Sequence, residues 1–157
     1  MADRPAYRIV EDDLSGAEIA ALLRLHLDEM HAWSPPESVH AMDIQRLRAG
    51  DVTFYSAWDG PVLAACGAIK QLDPGHGELK SMRADPAYRG KGAGRAILDH
   101  LITVARTRGY ARLSLETGAP AEFAPAHRLY LTNGFVDCSP FGSYRPDPFS
   151  RFMTRAL

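Results

Sequence analysis

From residue 92 to residue 108 the apolar positions Ile97, Leu98, Leu101, Ile102 and Ala105 recur at three- and four-residue intervals, with polar residues between them. That spacing lays one apolar stripe along a helix of 3.6 residues per turn. It predicts an amphipathic helix over Gly92–Arg108, stopped by Gly109. A similar stripe (Ile19, Leu22, Leu23, Leu27, Met30) follows Ser15-Gly16-Ala17-Glu18, which has capping-box form. Pro35-Pro36 breaks regular structure over His31–Asp43, and a short helix is expected over Ala41–Arg48. Elsewhere the apolar runs are short and strand-like: Ala6–Val10, Val52–Trp58, Val62–Gln71, Glu78–Ala84, Arg112–Glu116, Phe135–Cys138 and Ser150–Ala156. Turns are expected at Asp59-Gly60 and Asp73-Pro74-Gly75. A last helix over Pro125–Asn133 opens on proline and closes at Gly134.

Composition narrows the class without naming a function. The 157 residues suit one domain, taken as 1–157, with no repeat, linker or low-complexity tract. Hydrophobic residues make up 46% and charged residues 24%, the balance of an ordinary globular protein. A net charge of −1 gives no footprint for nucleic acid or a membrane surface. No apolar run spans a bilayer, and Met1–Tyr7 lacks the apolar stretch of a secretory signal. The two cysteines, Cys66 and Cys138, lie in apolar segments and read as reduced thiols, in keeping with a cytoplasmic protein. Metal-ligand spacing of Cys and His is absent.

The chemistry-bearing run is Arg89-Gly90-Lys91-Gly92-Ala93-Gly94, between a strand and the amphipathic helix. First-turn amides of a helix lack intrahelical partners, and the dipole makes that end partly positive. Glycines leave those amides bare, so the run is an anion site, above all for phosphate, with Arg89 and Lys91 as cations at its rim. A P-loop spacing is missing, and so is the third glycine of a dinucleotide fingerprint. What remains, Arg-x-x-Gly-x-Gly behind a strand ending at Asp85-Pro86, suits a pyrophosphate-bearing cofactor. A plain glycine-rich turn that opens a helix is the alternative.

The run resembles the acyl-CoA pyrophosphate loop of the GNAT superfamily of N-acyltransferases. A second stretch, Ala126-His127-Arg128-Leu129-Tyr130-Leu131-Thr132-Asn133-Gly134-Phe135, is similar to the superfamily's Ala-x-x-Leu-Tyr-x-x-x-Gly-Phe signature. The predicted order β-α-α-β-β-β-α-β-α-β-β is also the GNAT order, and the resemblance covers residues 6–157. It implies an α/β (α+β) fold: one mixed, mostly antiparallel sheet, splayed between strands 4 and 5 and flanked by about four helices. It further implies direct acetyl transfer from acetyl-CoA to an amine, and a homodimer.

Carried over by motif, the resemblance puts the amides of Gly90, Lys91, Gly92, Ala93, Gly94 and Arg95 on the pyrophosphate, with Arg89 at the rim. The strand segment Met82, Arg83, Ala84 would hold the pantetheine arm, and a backbone amide near Met82 would polarise the thioester oxygen. Tyr130 becomes the general acid for the CoA sulfur, or else a core aromatic. Glu78 and, second, Glu116 become candidate general bases; either can instead pair with Lys80, Arg83 or Arg112. Phe123 departs from the pattern, because many members carry asparagine there to bond CoA or the backbone near the splay.

Two Pro-rich segments, 33–43 and 140–150, are expected to wall the acceptor site. Their aromatics and polar groups (Trp33, Glu37, Ser38, His40, Phe141, Tyr144) suit a small polar amine such as an amino acid. They can equally be ordinary loops. The leading expectation is a small-molecule N-acetyltransferase. A protein lysine or N-terminal acetyltransferase and a non-catalytic acyl-CoA-binding module are the alternatives.

Overall fold

A computed structural model describes residues 6–157; Met1–Pro5, most of the amino-terminal stretch considered for a signal, lie outside the described residues. The chain runs β1 (Arg8–Glu11), α1 (Ala17–Trp33), α2 (Ile44–Leu47), β2 (Val52–Asp59), β3 (Val62–Asp73), β4 (His76–Ala84), α3 (Ala93–Thr107), β5 (Arg112–Gly118), α4 (Ala124–Thr132), β6 (Val136–Asp137) and β7 (Ser150–Ala156). This is the expected order. The strands form one seven-stranded sheet in the order β1-β2-β3-β4-β5-β7-β6. Among the described residues only β4 and β5 run parallel; every other neighbouring pair is antiparallel.

The α3 stripe is buried as its spacing requires: Ile97, Leu98, Leu101, Ile102 and Ala105 all pack onto one face of the sheet. Each large aliphatic side chain so buried contributes about 1.5–3 kcal/mol. The other face is covered by α1 and α2, with Ile19, Leu22, Leu23 and Leu47 against Phe54 and Cys66. Both cysteines are free, Cys66 in this second core.

Three local expectations are corrected. The capping box does not form: Gly16 is the N-cap of α1 without a side-chain cap bond. Ser15 instead donates to Asp13 at 2.6 Å, inside an Asp-led turn that claims it first. The second helix is shorter than Ala41–Arg48, because Asp43 caps it by accepting from the Arg46 amide at 2.8 Å. The stretch Phe135–Cys138 narrows to Val136–Asp137, with Phe135 turned into the core.

Two irregularities prepare the site. First, β4 and β5 pair only from His76 with Arg112 to Leu79 with Leu115. Beyond that point β4 continues along β3 to Ala84, and β5 along β7 to Gly118. The sheet is therefore splayed between strands 4 and 5, and the facing edge of β4 from Lys80 onward is unpaired there. Second, β4 carries a bulge: Lys80 pairs with Ala68 and Arg83 with Cys66, so three steps on β4 match two on β3. Ser81 takes a φ of 52° at the bulge. A bulge re-aims the side chains that follow it. Met82 turns into the α3 core, and Arg83 joins the face of Glu78 and Lys80. Gly67 lies opposite, where a Cβ would fall 2.5 Å from the Met82 sulfur.

Candidate active site at the splay

One half of the site is backbone. Gly90 and Gly92 adopt φ of 73° and 82°, the left-handed region that glycine enters without strain. A Cβ at either would meet nothing within 4 Å, so both face open space. Gly92 is the N-cap of α3, and the first bond into the helix runs from the Ala96 amide to its carbonyl at 2.9 Å. Among the described residues no acceptor meets the amides of Gly90, Gly92, Ala93, Gly94 or Arg95. A concave run of free N–H groups at a helix start is chemically suited to an anion. The Lys91 carbonyl is braced by the Tyr7 hydroxyl at 2.8 Å, which frees its side chain to lie over Tyr88. Arg89 is exposed and touches Glu29 of α1 at 3.5 Å, while Arg95 pairs loosely with Asp99.

The other half is side chain. On β4 the Glu78 carboxylate is buried and accepts from the Tyr144 hydroxyl at 2.6 Å. Lys80 is also buried; its ammonium donates to that hydroxyl at 2.9 Å and to the His40 carbonyl at 3.1 Å, and lies 3.5 Å from Glu78. Burial, followed by the Glu78 charge and hydrogen bond, pushes the Tyr144 phenol well above its ordinary range, so it stays a donor. The two Pro-rich segments are stapled across this network by Ser38, which donates to Asp147 at 2.6 Å. That bond holds the Asp147 carboxyl below the ordinary carboxylate range. Phe141 closes the floor against Tyr144, Phe152 and His76.

Glu116 is the first residue of β5 past the last paired position, so it stands at the mouth of the splay. Burial raises its carboxyl above the usual range and Glu78 adds to this, while Ser150 first, then His40 and Lys80, pull the other way. Tyr130 of α4 is buried at 5% exposure beside Phe135, and its hydroxyl makes no hydrogen bond among the described residues. Burial first, then the Glu116 charge, raises the Tyr130 phenol far above its ordinary value. It is a protonated hydroxyl within electrostatic reach of a carboxyl that holds its proton more tightly than usual.

Several expected residues lie elsewhere. Trp33 ends α1 and packs edge-on against Phe123 at 5.2 Å rather than joining Tyr144. Glu37 is exposed. Phe123, at the position where the resemblance implies asparagine, is an apolar plug: a Cβ on Gly118 would fall 2.2 Å from its ring. The Gly118 carbonyl is bonded instead by His127 at 2.6 Å. Arg83 turns its side chain onto Glu29 of α1. The role of Lys80 escaped the sequence because its partners lie 40 and 64 residues away. The unbroken run from Glu78 to Lys80 on a strand, with side chains alternating onto one face, was the available signal.

The model of the acetyltransferase (GNAT) family matches residues 19–135. The chain is 50% identical to the uncharacterized N-acetyltransferase YsnE of Bacillus subtilis over 146 residues, covering 93% of this chain and 97% of that protein. It is 50% identical to the uncharacterized N-acetyltransferase YedL of Escherichia coli over 151 residues, covering 96% and 95%. A crystal structure from Klebsiella pneumoniae, of a candidate acyl-CoA N-acyltransferase, superposes with a TM-score of 0.78 at 30% identity, covering 98% of this chain and 99% of that one. A Bacillus subtilis acetyltransferase crystallised with CoA shares the fold, with a TM-score of 0.72 at 19% identity over 97% and 99% of the two chains. The bare glycine loop, the splayed β4–β5 pair and these matches lead to one statement: the chain belongs to the GNAT family of N-acetyltransferases, and it is an acyltransferase.

Proposed function

We propose that this enzyme moves an acetyl group from acetyl-CoA directly onto the primary amine of a small molecule. The observation that carries the reading is the splay: it opens between a loop of free amides and the carboxylates of buried Glu78 and half-buried Glu116, with the unbonded Tyr130 hydroxyl within reach of the Glu116 charge. The residues present fit a pyrophosphate and a pantetheine arm. The amides of Gly90 and of residues 92–95 would hold the phosphates, the expected Lys91 amide being taken instead by the Tyr88 carbonyl at 3.2 Å; the Arg89 and Lys91 side chains would screen their charge, and the unpaired edge of β4 would bond the pantetheine amides as a strand would. Acetyl-CoA supplies the activated acyl carbon.

The chain's own groups then do three things. A backbone amide near Met82 donates to the thioester oxygen as it gains charge, an effect worth about 3 kcal/mol of barrier. Glu116 takes the proton that the amine loses as its nitrogen bonds the acyl carbon. Its raised affinity for a proton brings it nearer neutral pH, where a general base works best. Tyr130 gives its proton to the sulfur as the carbon–sulfur bond breaks. Glu78 moves no proton; held by Tyr144 and Lys80, it fixes the wall of the acceptor pocket. Cys66 takes no part as a nucleophile, because burial pushes its thiol up to about 12.

A small acceptor is favoured over a protein one because Ser38–Asp147 and Lys80–His40 tie the two acceptor segments shut over β4. Thiol release from acetyl-CoA against amino acids, polyamines, aminoglycosides and short peptides tests the reading. Release driven by a small amine and weakened in Tyr130→Phe is the expected result. Tight acetyl-CoA binding with no release on any amine would favour a binding module, and release only on peptides a protein acetyltransferase.

A further inference from the structure

Four polar atoms where α1 meets β4 are buried without a hydrogen-bond partner: Nε and Nη2 of Arg83, Oγ of Ser81 and Nδ1 of His26. The Arg83 side chain is 9% exposed, and His26 and Ser81 are 8% exposed. A buried polar atom left unpaired costs about 1–3 kcal/mol, and more when charged, so these atoms, with Arg83 and His26 near enough to feel each other's charge, call for a partner. Glu29 takes Nη1 of Arg83. The edge left over, Nε with Nη2, is the one whose two N–H groups point the same way and match the two oxygens of a carboxylate.

The fold goes out of its way to present that edge. Without the bulge, alternation would send Arg83 to the α3 core and Met82 to this face. The bulge holds Ser81 at a φ of 52°, a strained conformation for a residue with a Cβ, and such strain gathers at functional positions. Arg83 then shares a face with Glu78 and Lys80, the wall of the acceptor pocket. The charges favour a monoanion: Lys80 is matched by Glu78, and Arg83 with Arg89 outnumber Glu29 by one.

We infer that Arg83, with Ser81 and His26, seats a carboxylate of the acceptor, so that the substrate class is an amine that also carries a carboxylic acid. This assignment rests on the acetyl-transfer reading above. The guanidinium takes both oxygens, Ser81 adds its hydroxyl, and His26 adds Nδ1 in the tautomer that carries the proton there. The acceptor is thereby held by its acid while its amine reaches the splay.

Matched sets test the assignment: each amino acid of a panel against its carboxamide and its decarboxylated amine, with thiol release from acetyl-CoA as readout. The enzymes are the wild type, Arg83→Gln and the double variant Glu29→Gln/Arg83→Gln, which leaves no lone charge buried. The acid is expected to exceed its decarboxylated partner in kcat/KM by roughly 10–100-fold, the worth of a charged hydrogen-bonded pair. That preference should collapse in both variants, with KM for acetyl-CoA within about two-fold of wild type. Equal turnover of acid and decarboxylated amine, or a preference that survives both variants, overturns the carboxylate seat and leaves acyl transfer standing. If no amine releases thiol, the same compounds are titrated calorimetrically onto the CoA-saturated proteins. Binding of the acids that vanishes in the variants upholds the seat even as the proposed reaction falls, and absence of discrimination overturns it.

Discussion

The glycine loop and the acceptor face lie on either side of one splay and are built by opposite means. The loop is local, open and made of backbone: six consecutive residues, two of them in left-handed φ, with five amides that no other part of the chain uses, the sixth, of Lys91, donating to the Tyr88 carbonyl at 3.2 Å. The acceptor face is non-local, buried and made of side chains: Glu78 meets Tyr144, Lys80 meets His40, and Ser38 meets Asp147 across separations of 40 to 109 residues. On the proposed reading, the cofactor is bound by backbone, which every residue has, and the acceptor is met by side chains drawn from distant parts of the chain. The two halves should therefore fail differently under mutation.

The largest effect belongs where the halves meet. Tyr130→Phe keeps the ring packed on Phe135 and removes only the hydroxyl. Turnover should fall by about 10²–10⁴-fold, with acetyl-CoA affinity unchanged by calorimetry. Next comes a variant confined to the loop. Gly92→Ala meets no neighbour, so its cost is conformational, about 1–3 kcal/mol for a φ of 82°. We expect acetyl-CoA to bind about 10-fold more weakly or worse, while the acceptor KM barely moves. Were both constants to rise together, the two halves would not be separable.

His26 probes the acceptor side through pH. Burial, with Arg83 adding to it, lowers its imidazole from 6.5 to about 4. The unfolded chain therefore takes up this proton before the folded one does. Folding stability is unaffected by His26 above pH 6.5 and declines as pH falls from there toward 4. About 2 kcal/mol should be lost between about pH 7 and pH 5, read by urea denaturation, and His26→Gln should flatten that slope. The smallest effect is Ser38→Ala. Losing its bond to Asp147 loosens the two acceptor segments, so the acceptor KM should rise a few-fold while acetyl-CoA kinetics stay as they are.

The same contrast decides what could be read from the chain alone. The α3 stripe, the Gly60, Gly109 and Gly134 stops, strand β7 and the element order were legible, because periodicity and left-handed turns are written in consecutive residues. The glycine turn that opens α3 and the place of Tyr130 on α4 were legible for the same reason. Ser15 misled because Asp13, two residues away, offers a competing local acceptor. The bulge at Ser81 left no mark in the sequence, since serine is not a residue that announces positive φ. Its consequence, Arg83 turned toward α1, was therefore hidden, and so were the different surroundings on which the proposed distinction between the two glutamates rests. Glu78 is engaged by a tyrosine 66 residues on, and only the folded sheet brings them together.

That distinction, with Glu116 moving the proton and Glu78 holding the wall, is decided by the pH dependence of kcat/KM. Glu116→Gln and Glu78→Gln are compared with the wild type once an acceptor amine is in hand. Wild-type activity should fall on the acid side as the Glu116 carboxyl takes up a proton, at a pH above the ordinary carboxylate range. Glu116→Gln should lose that limb together with most of its turnover, while Glu78→Gln should keep the limb and raise the acceptor KM. A limb that persists in Glu116→Gln and disappears in Glu78→Gln would contradict the assignment and give the proton to β4.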